Sequence, residues 1–300
     1  MSKITDALKK AAEEKAEEKE QQQDQTTVQE EIASPERLPK VYRLPLEERL
    51  KSRIYIAKTT DDSGIDPHVV TYFDPQAVIS EQYRTLRTNV QLNNSPRTLK
   101  TIVITSALHG EGKTITAVNL AVTMAHDLDK SVLLIDCDLR GGTVHQLLAI
   151  NPTQGLSDIL VNDTPLELAF YKSRINNLSI LPRGEIPHNP SELLGSKKMR
   201  KLLEDLKAKF DYIILDAPPI IPLTDACVLS PLVDGVIFIV QAHRTPRQLV
   251  KQAQNSLEHV HAKILGFVLT QAELNLPKYY YRYYGHIQRN EPEHTEEPIQ

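Results

Sequence analysis

The chain predicts an α/β protein built on a doubly wound, mostly parallel sheet. Three observations carry that reading. Continuous apolar runs recur along the chain, as expected for strands buried on both faces. Two of these runs end in aspartate, and helix-forming segments stand between the runs. Such strand–helix alternation winds a parallel sheet whose carboxyl edge binds ligands.

Composition bounds the class before any motif is read. Three hundred residues allow one large domain or one domain with extensions, and a hydrophobic share of 40% supports a proper core. A formal net charge of −4 offers no electrostatic basis for binding nucleic acid. Cys137 and Cys227 lack metal or disulfide spacing and read as reduced, buried thiols of a cytosolic protein. Residues 1–30 hold no apolar core of a secretory signal. No window reaches the roughly 18 apolar residues that a membrane-spanning helix needs. A soluble protein is expected, one that reaches a membrane only through something else.

Residues 1–50 read as a partly disordered extension. Within it, residues 2–20 are helix formers with Ile4, Leu8, Ala11 and Ala12 on one side, a thin apolar face for a segment of this length in water. From Gln21 to about Ile32 a Gln/Glu-rich run reads as linker, and Pro35, Pro39 and Pro45 punctuate an extended approach. The globular part is expected over 51–276, where Arg53–Thr59 has a strand's composition but no assigned place. Pro75 to about Leu92 then reads as a helix. Its Glu81, Arg84 and Arg87 recur every three residues and drift slowly around one side. Periodicity alone favours a local Glu81–Arg84 pair, worth about a few tenths of a kcal/mol, over a charged stripe that reaches a neighbouring subunit.

Ile102–Ser106 forms the first buried strand and breaks into Ala107-Leu108-His109-Gly110-Glu111-Gly112. Lys113-Thr114-Ile115 then open an apolar, alanine-rich helix to about Ala125. This geometry turns backbone N–H groups and the positive end of a helix dipole into one concavity, which suits a polyphosphate. Lys113 would reach the β- and γ-phosphates, and the Thr114 hydroxyl would take a place on Mg²⁺. The full phosphate-loop pattern opens on glycine, and here Ala107 holds that position.

Val132–Ile135 is the next buried strand, ending in Asp136-Cys137-Asp138-Leu139-Arg140. Asp136 and Asp138 lie close enough to serve one Mg²⁺–phosphate centre, whereas capping of the next helix would explain one aspartate better than two. A helix starts near Gly155–Leu160, Leu178–Leu181 is a short strand, and Ser191–Leu194 opens another helix. Tyr212–Asp216 is a strand ending in acid before Ala217-Pro218-Pro219, the pattern by which phosphate-loop enzymes hold a metal or its water. Strands Gly235–Val240 and Ile264–Thr270 flank a helix from about Pro246 to His261. Beyond the core, the 277–300 tail carries Tyr279, Tyr280, Tyr281, Tyr283 and Tyr284 between hydrophilic flanks, a spacing that no regular element would bury. These phenols read as a sticky surface patch or as a mobile substrate.

Together these motifs resemble the bacterial tyrosine kinases of polysaccharide synthesis and export. Ser106–Thr114 is similar to that family's modified Walker A, Asp136-x-Asp138-x-Arg140 to its Walker A′, and Asp216-x-Pro218-Pro219 to its Walker B. Leu181-Pro182-Arg183-Gly184, Asn189–Leu194, the Glu81–Arg84–Arg87 helix and the tyrosine cluster also match, so the resemblance runs from about Gln76 to Tyr284. The family does not need glycine at the position of Ala107. Two departures stand out: His109 replaces a frequent proline, and Thr270 ends the last strand where an asparagine contacting adenine is expected.

The resemblance implies a P-loop NTPase-type fold and an ATP- and Mg²⁺-dependent protein-tyrosine kinase. His109, Gly110, Glu111, Gly112, Lys113, Thr114 and Ile115 would bind nucleotide, and Thr114, Asp136 and Asp216 the metal. Lys113, Asp136, Asp138 and Asp216 would be catalytic, with Asp138 orienting or deprotonating the incoming phenol. Arg140 reads as structural, paired with one of these acids. Glu81, Arg84 and Arg87 would pack against the next protomer of a ring, presenting each tyrosine tail to its neighbour's active site. The resemblance further implies a separate transmembrane chain-length regulator as activator, an opposing tyrosine phosphatase, and a cytoplasmic protein recruited to the inner membrane face. Two rivals share the fold: a nucleotide-binding scaffold without transfer, and a MinD/ParA-like positioning ATPase, whose signature lysine position holds Leu108 here.

Overall fold

The computed structural model describes residues 63–92, 99–126 and 130–272. The extension at 1–50, the Arg53–Thr59 strand and the tyrosines at 279–284 lie outside the described residues. The strands are β1 (Thr101–Ser106), β2 (Val132–Asp136), β3 (Tyr171–Lys172), β4 (Leu178–Leu181), β5 (Tyr212–Asp216), β6 (Gly235–Gln241) and β7 (Ile264–Thr270). They form one sheet in the order β3-β4-β2-β5-β1-β6-β7, parallel throughout except for the short β3–β4 pair. Every residue of β1, β2 and β5 is buried. Both faces are covered, so the strands read as unbroken apolar runs rather than alternating ones.

Before β1 come α1 (Val70–Phe73) and α2 (Val78–Leu92), and after it α3 (Lys113–Ala125). Between β2 and β5 lie α4 (Val144–Leu147), α5 (Leu156–Asn162), α6 (Leu166–Ala169), α7 (Pro190–Leu194) and α8 (Lys197–Lys207). After β5 come α9 (Asp225–Leu229), a short 3₁₀ turn and α10 (Arg247–His259). Successive strand residues point to opposite sides and so divide the core. Val103, Leu133, Ile135, Leu215 and Phe238 pack with α5, α8, α9 and α10. Ile102, Ile104, Leu134, Ile214 and Ile239 pack with α3 and α4. The expected doubly wound sheet is present, and the expected helices fall within a few residues of their places.

α3 is apolar on nearly every side because it lies between the sheet and the segments before β1. Beyond Lys113 at its start, Asn119 is its large polar exception, fully buried and fully used. Its carbonyl accepts from Thr71 N (3.1 Å) and Thr71 Oγ1 (2.9 Å), while its amide donates to the carbonyls of His68 and Ile115 (both 2.9 Å). One side chain thus ties the entry to α1 onto the helix that leaves the first loop.

Both cysteines are free, but only Cys137 is buried. Cys227 faces partly outward from α9, which corrects the expectation of two buried thiols. A short helix lying on the surface of its layer has an outer side, and Cys227 falls on it. Among the described residues no helix is long and apolar enough to cross a membrane.

Truncating Asn119 would orphan the Thr71 N–H and the His68 carbonyl in a dry interior. Asn119→Ala is expected to destabilise the chain by roughly 2–4 kcal/mol. Urea unfolding monitored by circular dichroism checks this, and a change below about 1 kcal/mol would refute the tie.

Candidate active site

The register brings three loop origins together. Ile104 pairs with Asp216 across β1–β5, and Asp136 pairs with Asp216 across β2–β5. The turn after β1, Asp136 and Asp216 therefore share one stretch of the sheet's carboxyl edge. Gly110 (φ 79°) and Gly112 (φ 90°) adopt left-handed backbone in that turn, a conformation that side-chain-bearing residues strain to reach. Gly112 caps α3, so the loop delivers the chain directly into the helix carrying Lys113 and Thr114.

The loop is braced from the β6–β7 side. Glu111 is buried, and its carboxylate accepts from Leu108 N (2.6 Å) and bonds the Thr245 hydroxyl. Its backbone carbonyl accepts from Thr270 Oγ1 (2.7 Å). Arg244 donates Nη1 to the Gly110 carbonyl (3.2 Å) and to Gln241 Oε1 (2.8 Å). Glu111 is thus an internal strut of the loop, His109 stands exposed at its tip, and Ile115 lies in the first turn of α3. Thr270, where asparagine was expected, is spent on this brace.

Inside the loop a single cation meets several carboxylates. Lys113 Nζ lies 3.1 Å from Asp138 Oδ2, 3.8 Å from Asp216 Oδ1 and 3.2 Å from Thr114 Oγ1. Burial opposes the Lys113 charge, but Asp216 and Asp138 outweigh it and hold the pKa above its ordinary value. Asp136 takes the capping role: its oxygens accept from Asp138 N and from Val144 N at the start of α4, both at 3.2 Å. Burial, then Asp216, pushes its pKa well up. Asp216 is wholly enclosed, and neither of its oxygens has a hydrogen-bond partner. The Thr114 hydroxyl faces Asp216 without closing a hydrogen bond, and burial raises that carboxylate's pKa. An enclosed, unsatisfied carboxylate opposite a threonine hydroxyl fits a metal ion or its bound water.

A cleft of about 750 Å³ opens over the loop. Its walls include Ile79, Tyr83 and Leu86 of α2 and Phe267 and Leu269 of β7, with Lys113, Thr114 and Asp138 at its base. Burial lifts the Tyr83 phenol to about 12, against a smaller opposing pull from the Thr116 hydroxyl. Tyr83 thus stays neutral as part of the wall. On the same helix Arg84 Nε donates to Glu81 Oε2 (2.7 Å), which is the local pair that periodicity favours. Arg87 is turned inward, donating Nη1 to the Thr123 carbonyl of α3 (3.1 Å).

One pairing is corrected. Arg140 does not join the loop acids but points away from them to Asp225, with Nε 3.0 Å from Oδ2, and reaches Ser191 Oγ at 3.2 Å. Lys113 already occupies the space among the motif carboxylates, whereas Asp225 is buried at the start of α9, where Arg140 is its cation partner among the described residues. Asp225, Arg244 and Thr245 were not singled out from the sequence, and Ser191 entered only as part of the Asn189–Leu194 motif. An acid opening a short helix and a polar loop before a helix are too common to flag these positions.

Residues 99–267 match the model of the AAA domain family. The tyrosine-protein kinase YwqD of Bacillus subtilis is 38% identical over 223 residues, covering 74% of this chain and 93% of that protein. The chain belongs to the bacterial tyrosine-kinase family. By class it is a protein-tyrosine kinase. The kinase domain of the Escherichia coli tyrosine kinase ETK superposes with a TM-score of 0.67 at 26% identity, covering 76% of this chain and 94% of that one. The succinoglycan biosynthesis transport protein ExoP of Rhizobium meliloti is 32% identical over 209 residues, which is 68% of this chain but 26% of that protein. In that relative the kinase-like part is joined to a much longer chain.

Site chemistry and stability pull apart at Asp216. Its folded pKa lies above the ordinary 3.8, so its favourable contribution is present below that pH and is lost as pH rises through the raised value. At neutral pH the ionised, unsatisfied carboxylate costs stability. Asp216→Asn is expected to stabilise the nucleotide-free chain by roughly 1–3 kcal/mol at pH 7, a gain that shrinks toward pH 4. It should also remove most of the extra melting temperature conferred by Mg-ATP. Thermal melts across pH with and without Mg-ATP check both parts, and a destabilised variant at pH 7 would refute the account.

Proposed function

We propose that this chain transfers the γ-phosphoryl group of ATP to tyrosine, chiefly Tyr279, Tyr280, Tyr281, Tyr283 and Tyr284 of a second copy. We place this activity in the control of polysaccharide polymerisation and export. The observation that carries the reading is the convergence of Lys113, Thr114, Asp138 and Asp216 beneath the cleft. Phosphoryl transfer asks mainly for positioning and charge neutralisation. Gly110, Gly112 and the loop N–H groups hold the phosphates, and Lys113 neutralises charge that develops on the transferred group. Mg²⁺, held by Thr114 with Asp136 and Asp216 as direct or water-mediated partners, would supply further neutralisation at the phosphate oxygens. Asp138, with one oxygen toward Lys113, orients the phenol or takes its proton; the unperturbed phenol pKa of about 10 makes it a poor nucleophile unaided.

Assembly completes the proposal. Glu81 and Arg84 present their paired heads on the outer side of α2 toward the next protomer of a ring, while Arg87 holds that helix to α3. A separate transmembrane regulator recruits the chain to the inner face of the membrane, and a tyrosine phosphatase resets it. The longer ExoP chain supports the idea that such a kinase works beside further segments. Each phosphotyrosine adds about −1.5 to −2 charges, so a loaded tail is repelled by the acidic site and the ring loosens.

Two measurements test this reading. Incubation with Mg-ATP followed by phosphosite mass spectrometry should find phosphate on Tyr279–Tyr284. Lys113→Met should lower it by roughly 10²–10³-fold, and changing all five tyrosines to phenylalanine should abolish it. ATP hydrolysis without phosphotyrosine, even with the membrane partner's cytoplasmic segment present, would favour a scaffold or positioning ATPase. Native mass spectrometry should show more rings for tail-dephosphorylated than for phosphorylated protein, and equal ring populations would rule out the charge-driven release.

A further inference from the structure

An ion pair outside the cleft, buried at its carboxylate and exposed at its guanidinium, connects the turn after β2 to the start of α9. The turn after β2 is tight: the Asp138 carbonyl accepts from Gly142 N (2.7 Å), and Asp138 Oδ1 accepts from Gly141 N (3.0 Å). It packs so closely that a Cβ on Gly142 would stand 2.0 Å from Asp136 Oδ1. Its Asp138 end is held by Lys113 at 3.1 Å. Its Arg140 end is held by Asp225, with Nε–Oδ2 at 3.0 Å and Nη2–Oδ1 at 3.4 Å. Ser191 of α7 closes the group, bonding Asp225 Oδ1 and accepting from Arg140 Nη2 at 3.2 Å. Asp225 is fully buried and Arg140 half-exposed, so the carboxylate is the fixed post and the guanidinium the tether.

We infer that Asp225 is a positioning residue for phosphoryl transfer, fixing the turn through Arg140 so that Asp138 faces Lys113 and the incoming phenol. Asp225 touches none of the groups at the base of the cleft; its effect is transmitted through the tether. The fork of Arg140 matches the carboxylate in two places, a geometry that lysine cannot reproduce. Ser191, at the start of the Pro190–Leu194 helix, keeps the carboxylate in the rotamer that receives the fork. This inference rests on the kinase reading above.

The test uses the full chain. Asp225→Asn should lower kcat for tyrosine phosphorylation by roughly 10–100-fold, as expected for a misplaced catalytic group. KM for ATP should stay within about 2-fold, because the phosphate loop is untouched. Arg140→Lys should lose less, and Asp225→Asn combined with Arg140→Gln should be no worse than the more damaging single change. If Asp225→Asn does not fold, Arg140→Lys carries the comparison, since its head is half-exposed. Wild-type kcat in the folded variants, or kcat and KM shifting together, would overturn the latch. Should the unaltered chain transfer no phosphate, the kinase reading fails separately. The latch is then judged by hydrogen exchange over residues 138–144: faster exchange there in Arg140→Lys upholds it, and unchanged exchange overturns it.

Discussion

The site is organised around a deficit of positive charge. Asp136, Asp138 and Asp216 crowd one edge of the sheet, and Lys113 is the cation set among them. Asp136 and Asp216 are fully buried and Asp138 nearly so, so each carboxylate's cost must be met largely by local partners. Asp136 meets it with two backbone N–H groups, and Asp138 with Lys113 and Gly141 N. Asp216 has only the Lys113 charge at 3.8 Å and no hydrogen bond. Such a site suits a divalent cation, and on the proposed function a nucleotide carrying Mg²⁺ would offset the cost of burying Asp216. The parallel sheet makes this arrangement possible, because only adjacent strands running the same way place Asp136 opposite Asp216 at one edge.

A second constraint is that the loop above those acids has few means of holding itself. Two left-handed glycines give it the shape to wrap phosphate but leave its backbone flexible. The chain compensates from the far strands. Thr270 and Thr245 bond Glu111 through its carbonyl and its carboxylate, and Arg244 holds the Gly110 carbonyl. The loop is thus preorganised through its carbonyls and the Glu111 carboxylate, which also takes the Leu108 N–H.

Much of this was legible in the sequence, and the reasons are local. Val132–Ile135 and Tyr212–Leu215 announce doubly covered strands by being apolar without alternation, and their terminal acids mark the functional edge. Gly110, Gly112, Lys113 and Thr114 define a strand-to-helix turn by spacing alone. What stayed hidden depends on tertiary register. Arg140 had the right role, structural pairing, but the wrong partner, because nothing near Asp225 in sequence ties it to the turn after β2. Thr270 looked like a lost base contact until the fold placed it against Glu111. Cys227 looked buried because short amphipathic helices leave no period long enough to show which side faces out.

The same geometry bears on the proposal that transfer runs between copies. Gln271 and Ala272, directly after β7, already line the cleft. The cluster begins seven residues later at Tyr279, a tether of at most about 25 Å. On the proposed function, a tail supplied by a second copy would not be limited by the length of that one tether, and Tyr279, Tyr280, Tyr281, Tyr283 and Tyr284 could be offered in turn. The apolar walls, Ile79 and Leu86 on one side and Phe267 and Leu269 on the other, suit a succession of phenol rings better than a single charged residue. On the proposed function, apolar walls above Lys113 and Asp138 would select for chemistry at the hydroxyl rather than for the sequence around it.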